Sequence, residues 1–174
     1  MQSAGSREKA AAQPARSKAD EDVTDLTPDQ IKSGIGQRHP VAYYILAKKL
    51  FAEGAQDEAV FWFYAGQLRY RFYLAANPKL PQDGAPALFA SLSSVIGQTI
   101  NEYAFGDIDR LTSTMDDVLK WDERTDNGFT SKTEHAKEWQ EIRTGLARLR
   151  DMTRDRADEI RAQRKANGLP NRKP

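Results

Sequence analysis

The chain has 174 residues, 29% of them charged and 39% hydrophobic, with a net charge of +1 and no cysteine. That length suits one domain with an ordinary core. The near-zero charge selects no polyanionic partner, and without cysteine there are no disulfides, thiolate metal sites or cysteine nucleophiles. No apolar run approaches the about 18 residues that a membrane span needs.

Residues 1–22 hold no large apolar side chain after Met1, so burial cannot offset the entropy of ordering them. They are expected to be a disordered polar tether, and they look like the tether that follows the lipidated cysteine of a bacterial lipoprotein. That likeness implies a periplasmic or membrane-tethered protein whose only membrane contact is a lipid anchor; a cytoplasmic location is the alternative. Order begins near Val23, and residues 23–166 read as a single all-helical domain. Thr27, Pro28 and Gln30 spell a helix start: a capping hydroxyl, proline in the first turn, then a glutamine three positions after the cap. Gly34 and Gly36 end that short helix.

Residues 40–76 carry the densest run of large apolar side chains and predict an antiparallel helical hairpin. Pro40 suits a first helical position. Tyr43, Leu46, Ala47 and Leu50 share one face. Gly54 supplies the stop and Asp57 is the expected N-cap of the second helix, which ends before Pro78. In that second helix Phe61, Trp62, Phe63, Tyr64, Tyr70, Phe72 and Tyr73 occupy all azimuths, as in a central helix covered on several sides. Gln67, Arg69 and Arg71 are the side chains that could reach a groove.

The hairpin resembles a tetratricopeptide-like repeat of the Sel type through Leu46, Ala47, Gly54, Ala59, Phe63 and Gly66. Small residues there let two backbones approach while Phe63 fills the wedge. Tyr43 stands where tryptophan is usual and Arg71 where proline usually closes the unit. The resemblance covers about one fifth of the chain, without a second copy at the repeat period. It implies that the first helix lines a binding face bearing Val41, Tyr44, Lys48 and Phe51, with Tyr44 and Phe51 as aromatic anchors.

A turn-rich stretch, residues 77–84, leads to a helix over 85–104 with an apolar stripe of Leu88, Leu92, Val95, Ile96, Ile100 and Tyr103. Gly97 in its middle marks a close crossing with the hairpin. Asp107 caps a further helix to about residue 122 whose outer face is acidic. Residues 107–126 hold seven acidic against three basic side chains, and Asp109, Asp116 and Asp117 are the expected docking patch for a basic partner. Ser131 and Glu134 form a capping-box pair opening one long helix to about residue 166, with Trp139, Ile142, Leu146, Leu149, Met152 and Ile160 as its seam. Residues 167–174 are expected to be a disordered tail. The C-terminal stretch from residue 132 is basic, but interspersed acids favour i,i+4 pairing over nucleic-acid binding.

The expected fold is therefore all-α: about five main helices in a compact array built on the 40–76 hairpin. No catalytic constellation, metal set or cofactor motif stands out. His39 and His135 are the two histidines, and no HxxxH or HExxH spacing exists. The expected function is non-catalytic protein binding. The small helical domain, hairpin, tether and acidic patch look like an immunity protein that neutralises a secreted bacterial toxin. An adaptor or assembly factor of a bacterial envelope or secretion system is the alternative.

Overall fold

The computed structural model describes residues 22–173. The expected disordered tether, residues 1–22, falls outside these apart from Asp22. The described residues form seven α-helices and no strand: α1 (Pro28–Lys32), α2 (Val41–Ala52), α3 (Gln56–Ala76), α4 (Ala85–Ala104), α5 (Ile108–Arg124), α6 (Ala136–Asp155) and α7 (Ala157–Ala166), with a 3-10 turn at Ile35–Gln37. The expected all-α array is present, its five long helices being α2 to α6. α1 begins with the anticipated capping box, in which Thr27 and Gln30 each bond the other's backbone N–H.

α3 is the axis of the molecule, packing against α2, α4, α5 and α6. Its buried residues run around the whole helix, from Ala59 and Val60 through Phe63, Tyr64 and Gly66 to Tyr70 and Phe72. Two glycines set how closely its neighbours approach. A Cβ on Gly66 would lie 2.7 Å from Tyr43 Cβ, so α2 and α3 meet backbone to backbone. A Cβ on Gly97 would lie 2.9 Å from Phe63 Cζ, so α4 crosses close to the hairpin at Gly97, as the sequence predicts, and Phe63 fills the space between α3 and α4. Gly54 closes α2 at φ +86°, a left-handed turn that a side chain would strain.

Several local expectations change. Pro40 occupies the cap position of α2 rather than its first turn. Asp57 does not cap α3, which starts one residue earlier. Instead it accepts from Tyr103 Oη at 3.0 Å and pairs with Arg110 at 3.2 Å. Ser131 Oγ accepts from Glu134 N at 3.2 Å, but the bond closes a turn and α6 starts at Ala136. The long last helix is divided at Arg156 into α6 and α7. Hydrogen bonds from Arg156 N to Met152 O and from Ile160 N to Arg156 O carry the chain across the break.

The expected disordered tail is also corrected, because residues 167–173 are held against the body. Arg172 N and Lys173 N both donate to Gly106 O, at 2.6 and 3.2 Å. Arg172 stacks 3.6 Å over the Tyr103 ring and donates to Tyr103 O at 3.0 Å. Asn171 Nδ2 donates to Arg161 O at 3.1 Å. The side chains that make these contacts are polar, so a count of apolar residues gives no sign of the attachment.

Candidate functional site

The residues expected to bind a partner fall into three groups. Tyr44 is core, 0% exposed. Its ring meets Phe63 and Tyr70 edge-on, its hydroxyl lies 3.2 Å from Ser93 Oγ, and burial pushes the phenol pKa up. The reason is α4, which lies along the face of α2 that the repeat resemblance left open. Phe51 is half-buried, its ring 5.8 Å from that of Tyr103 on α4. Lys48 remains exposed. The binding face implied by the resemblance is therefore covered in part from within the chain, and Tyr44 offers no surface to a partner.

The acidic patch divides as well. Asp116 faces α6, where Arg150 Nη1 donates to it and Arg154 lies 3.7 Å away. It ties two helices together. Asp109 and Asp117 are exposed, Asp117 beside Lys120 at 3.7 Å. Asp122, counted on sequence in the same acidic stretch, is 1% exposed. Arg69 Nε lies 2.8 Å from its Oδ1, while Trp139 Nε1 and Arg143 Nη1 donate to its Oδ2 at 2.8 and 3.0 Å. Lys132 donates to the backbone carbonyls of Asp122 and Thr125. Burial is the largest influence on the Lys132 ammonium and lowers its pKa. This cluster joins α3, α5, α6 and the α5–α6 loop. Every strong donor in it is turned inward, so it is a structural clamp.

Among the described residues, a valley stays open along the bent α6–α7 rod. Its first part, about 280 Å³, lies between α3 and α6. Tyr64 and Leu68 form one side, Ile142, Leu146 and Leu149 the other, and Arg71 stands at the edge. The valley is open at Gly145, where a Cβ would meet nothing within 4 Å. The second part, about 440 Å³, continues between α4 and α7. The two adjoin where Tyr64 Oη donates to Asn101 Oδ1 at 3.0 Å. Two of the large apolar residues that stay exposed, Leu149 at 39% and Met152 at 49%, lie on α6 in this stretch. Gln67 and Arg71 reach this valley, as one sequence reading of α3 had them do, whereas Arg69 turns away to Asp122.

Sequence reasoning missed the valley, although its signal was there. The α6 seam reads as apolar from Trp139 to Met152 and weakens beyond it, but the helices facing it cover only part of that length. Among the described residues, no group of three His, Cys, Asp or Glu side chains is placed to hold a metal. No helix of these residues is long and apolar enough to cross a membrane.

No family model matches the chain, and no solved structure does. An uncharacterized protein of Haemophilus influenzae is 35% identical over 85 residues, which is 47% of this chain and 32% of the relative. The chain thus spans about a third of the length of the relative it matches.

Proposed function

We propose that this chain is a non-catalytic protein-binding domain whose partner lays an amphipathic helix in the valley beside α6. The observation that carries the reading is the exposure of Leu149 in a valley that already has apolar walls, with Met152 exposed three residues further along the same helix. A helix brings apolar side chains at three- and four-residue steps, and a trough with an apolar floor and polar edges is the shape that accepts them. A valley built on rigid helices loses little entropy when it is filled. An adaptor or assembly role fits this form of recognition.

Neutralisation of a basic toxin is the second reading. What supports it is the pair Asp109 and Asp117, which stay exposed on α5 and would steer a cationic partner. An export tether over residues 1–22 belongs to this second reading.

Photocrosslinking in cells separates the two. Benzoylphenylalanine at Leu149 or Met152 is expected to give one discrete protein adduct, while the same group at Asp109 or Asp117 gives none. Adducts from α5 alone would replace the valley with the acidic face. A blank at all four positions would overturn protein binding at either surface.

A further inference from the structure

At its α7 end the valley changes character. The walls there carry Asn101 and Glu102 from α4 and Gln163, Arg164 and Asn167 from the other side. Arg164 is 7% exposed, yet its guanidinium forms no ion pair among the described residues. Its Nη2 donates to the carbonyls of Glu102 and Pro170, both at 2.8 Å. Nε has no acceptor, and no bond is made by Nη1 among the described residues. The acids nearest in sequence are already taken, Glu159 by Arg156 at 2.6 Å and Asp158 by Arg161 at 3.1 Å.

A guanidinium stays charged even where burial and a neighbouring cation, here Arg172, lower its pKa. A buried cation left without an anion is strongly unfavourable, and an anion arriving beside it gains correspondingly. Two further donors make no hydrogen bond among the described residues. Asn101 Oδ1 accepts from Tyr64 and Asn167 Oδ1 accepts from Gln163, at 3.0 and 3.3 Å, which leaves the Nδ2 group of each asparagine spare. The exposed Glu102 on the same wall disfavours a dianion such as phosphate, so the preferred guest carries a single negative charge.

We propose that the α4–α7 cleft is a carboxylate subsite anchored by Arg164, with the Asn101 and Asn167 amides beside it, and that it receives a carboxylate of the helix docked in the adjoining valley. The subsite rests on its own donors. Only the bearer of the carboxylate rests on the protein-binding reading above. The guest helix would then be apolar where it meets Leu149 and Met152, and acidic or C-terminal where it meets Arg164. A helix C-terminus also brings the negative end of its dipole.

The test uses the full chain, with sodium acetate as probe and the Arg164 Nε–Hε resonance as readout. Acetate is expected to shift that resonance saturably with a Kd of roughly 10–100 mM, and sodium chloride at equal ionic strength is not. Asn167→Asp, at an exposed position, should keep the wild-type Tm and weaken acetate binding about fivefold or more. It should also lower the yield of the Met152 crosslink. If acetate and chloride act alike, the subsite is overturned and the valley is untouched. If acetate binds but Asn167→Asp leaves the crosslink yield unchanged, the guest is a free small acid and the peptide source is overturned. If Met152 gives no crosslink, the peptide source falls with the protein-binding reading, and the acetate titration still decides the subsite.

Discussion

Arg69 on α3 and Asp122 on α5 face each other at 2.8 Å with almost no solvent at either side chain, 2% and 1% exposed. Asp122 is also the acceptor for Trp139 and Arg143 on α6. One carboxylate thus offsets the buried charge of α3 and fixes where α6 lies. Asp122→Ala strands Arg69 and should lower stability by about 3–5 kcal/mol, read as a fall in the urea midpoint. A cost near zero would mean that Asp122 belongs to a solvated face, as its place in an acidic stretch had suggested.

The glycine contacts predict a rescue. Gly97→Ala places a methyl against Phe63, and overpacking of this kind should cost about 1–3 kcal/mol. Phe63→Leu makes room, so the double variant should be more stable than the sum of the two single changes implies. Gly66→Ala meets Tyr43 Cβ, which cannot move without its backbone. No shortening of the Tyr43 side chain beyond Cβ should rescue it. Thermal melts of the five variants (G97A, F63L, their double, G66A, and G66A with Tyr43→Ala) test both statements.

Much of the hairpin was legible in the sequence because its determinants are local. A left-handed glycine at position 54, small residues at 47, 59 and 66, and a phenylalanine between them act within one helical turn or across one short link. What was not legible depends on which element arrives opposite. Periodicity placed Tyr44 on an azimuth of α2 but could not say that α4 would cover it. Asp116 and Asp117 are adjacent in sequence, and only the position of α6 makes one a tie and leaves the other in solvent. Arg164 gave no signal, because an arginine among arginines near a chain end reads as solvated.

That difference between neighbours can be measured. Asp116→Lys sets a third cation against Arg150 and Arg154 and should cost on the order of 1 kcal/mol, since the pair is partly exposed. Asp117→Lys should change stability by less than about 0.5 kcal/mol. Equal effects in urea titrations would return both residues to one solvated face.

Alkaline pH should unfold the protein through its phenols. Burial raises the Tyr43 pKa from 10.0 to about 12, and it raises those of Tyr44 and Tyr64 as well. A group whose pKa is higher folded than unfolded stabilises fully below its unfolded value. That contribution is lost as pH climbs toward the folded value. Above pH 10 each phenol therefore removes up to about 1.4 kcal/mol per pH unit. Lys132, lowered by burial, acts in the opposite sense: its folded pKa lies below the unfolded one, so deprotonation favours the fold as pH rises between them. One such group is outweighed by three phenols. The expected result is a urea midpoint that holds from pH 7 to 9 and falls steeply above 10. The tyrosinate absorbance of Tyr43, Tyr44 and Tyr64 should appear together with unfolding rather than before it.

The seating of α4 bears on how a chain of this kind can lengthen over generations. Helical hairpins multiply into arrays when each new pair can stack on a face the previous pair leaves bare. Here Ser93, Gly97 and Tyr103 of α4 already occupy that face, against Tyr44, Phe63 and Phe51. A tandem duplicate of residues 40–76 inserted after α3 would have to expel α4 before it could pack. Inserted sequence is accommodated more readily in the connection at 77–84, whose residues are mostly exposed, than at 125–135, where Arg69 of α3 holds the loop carbonyls. Descendants of this fold are expected to vary by loop growth at 77–84, with the number of hairpins held at one.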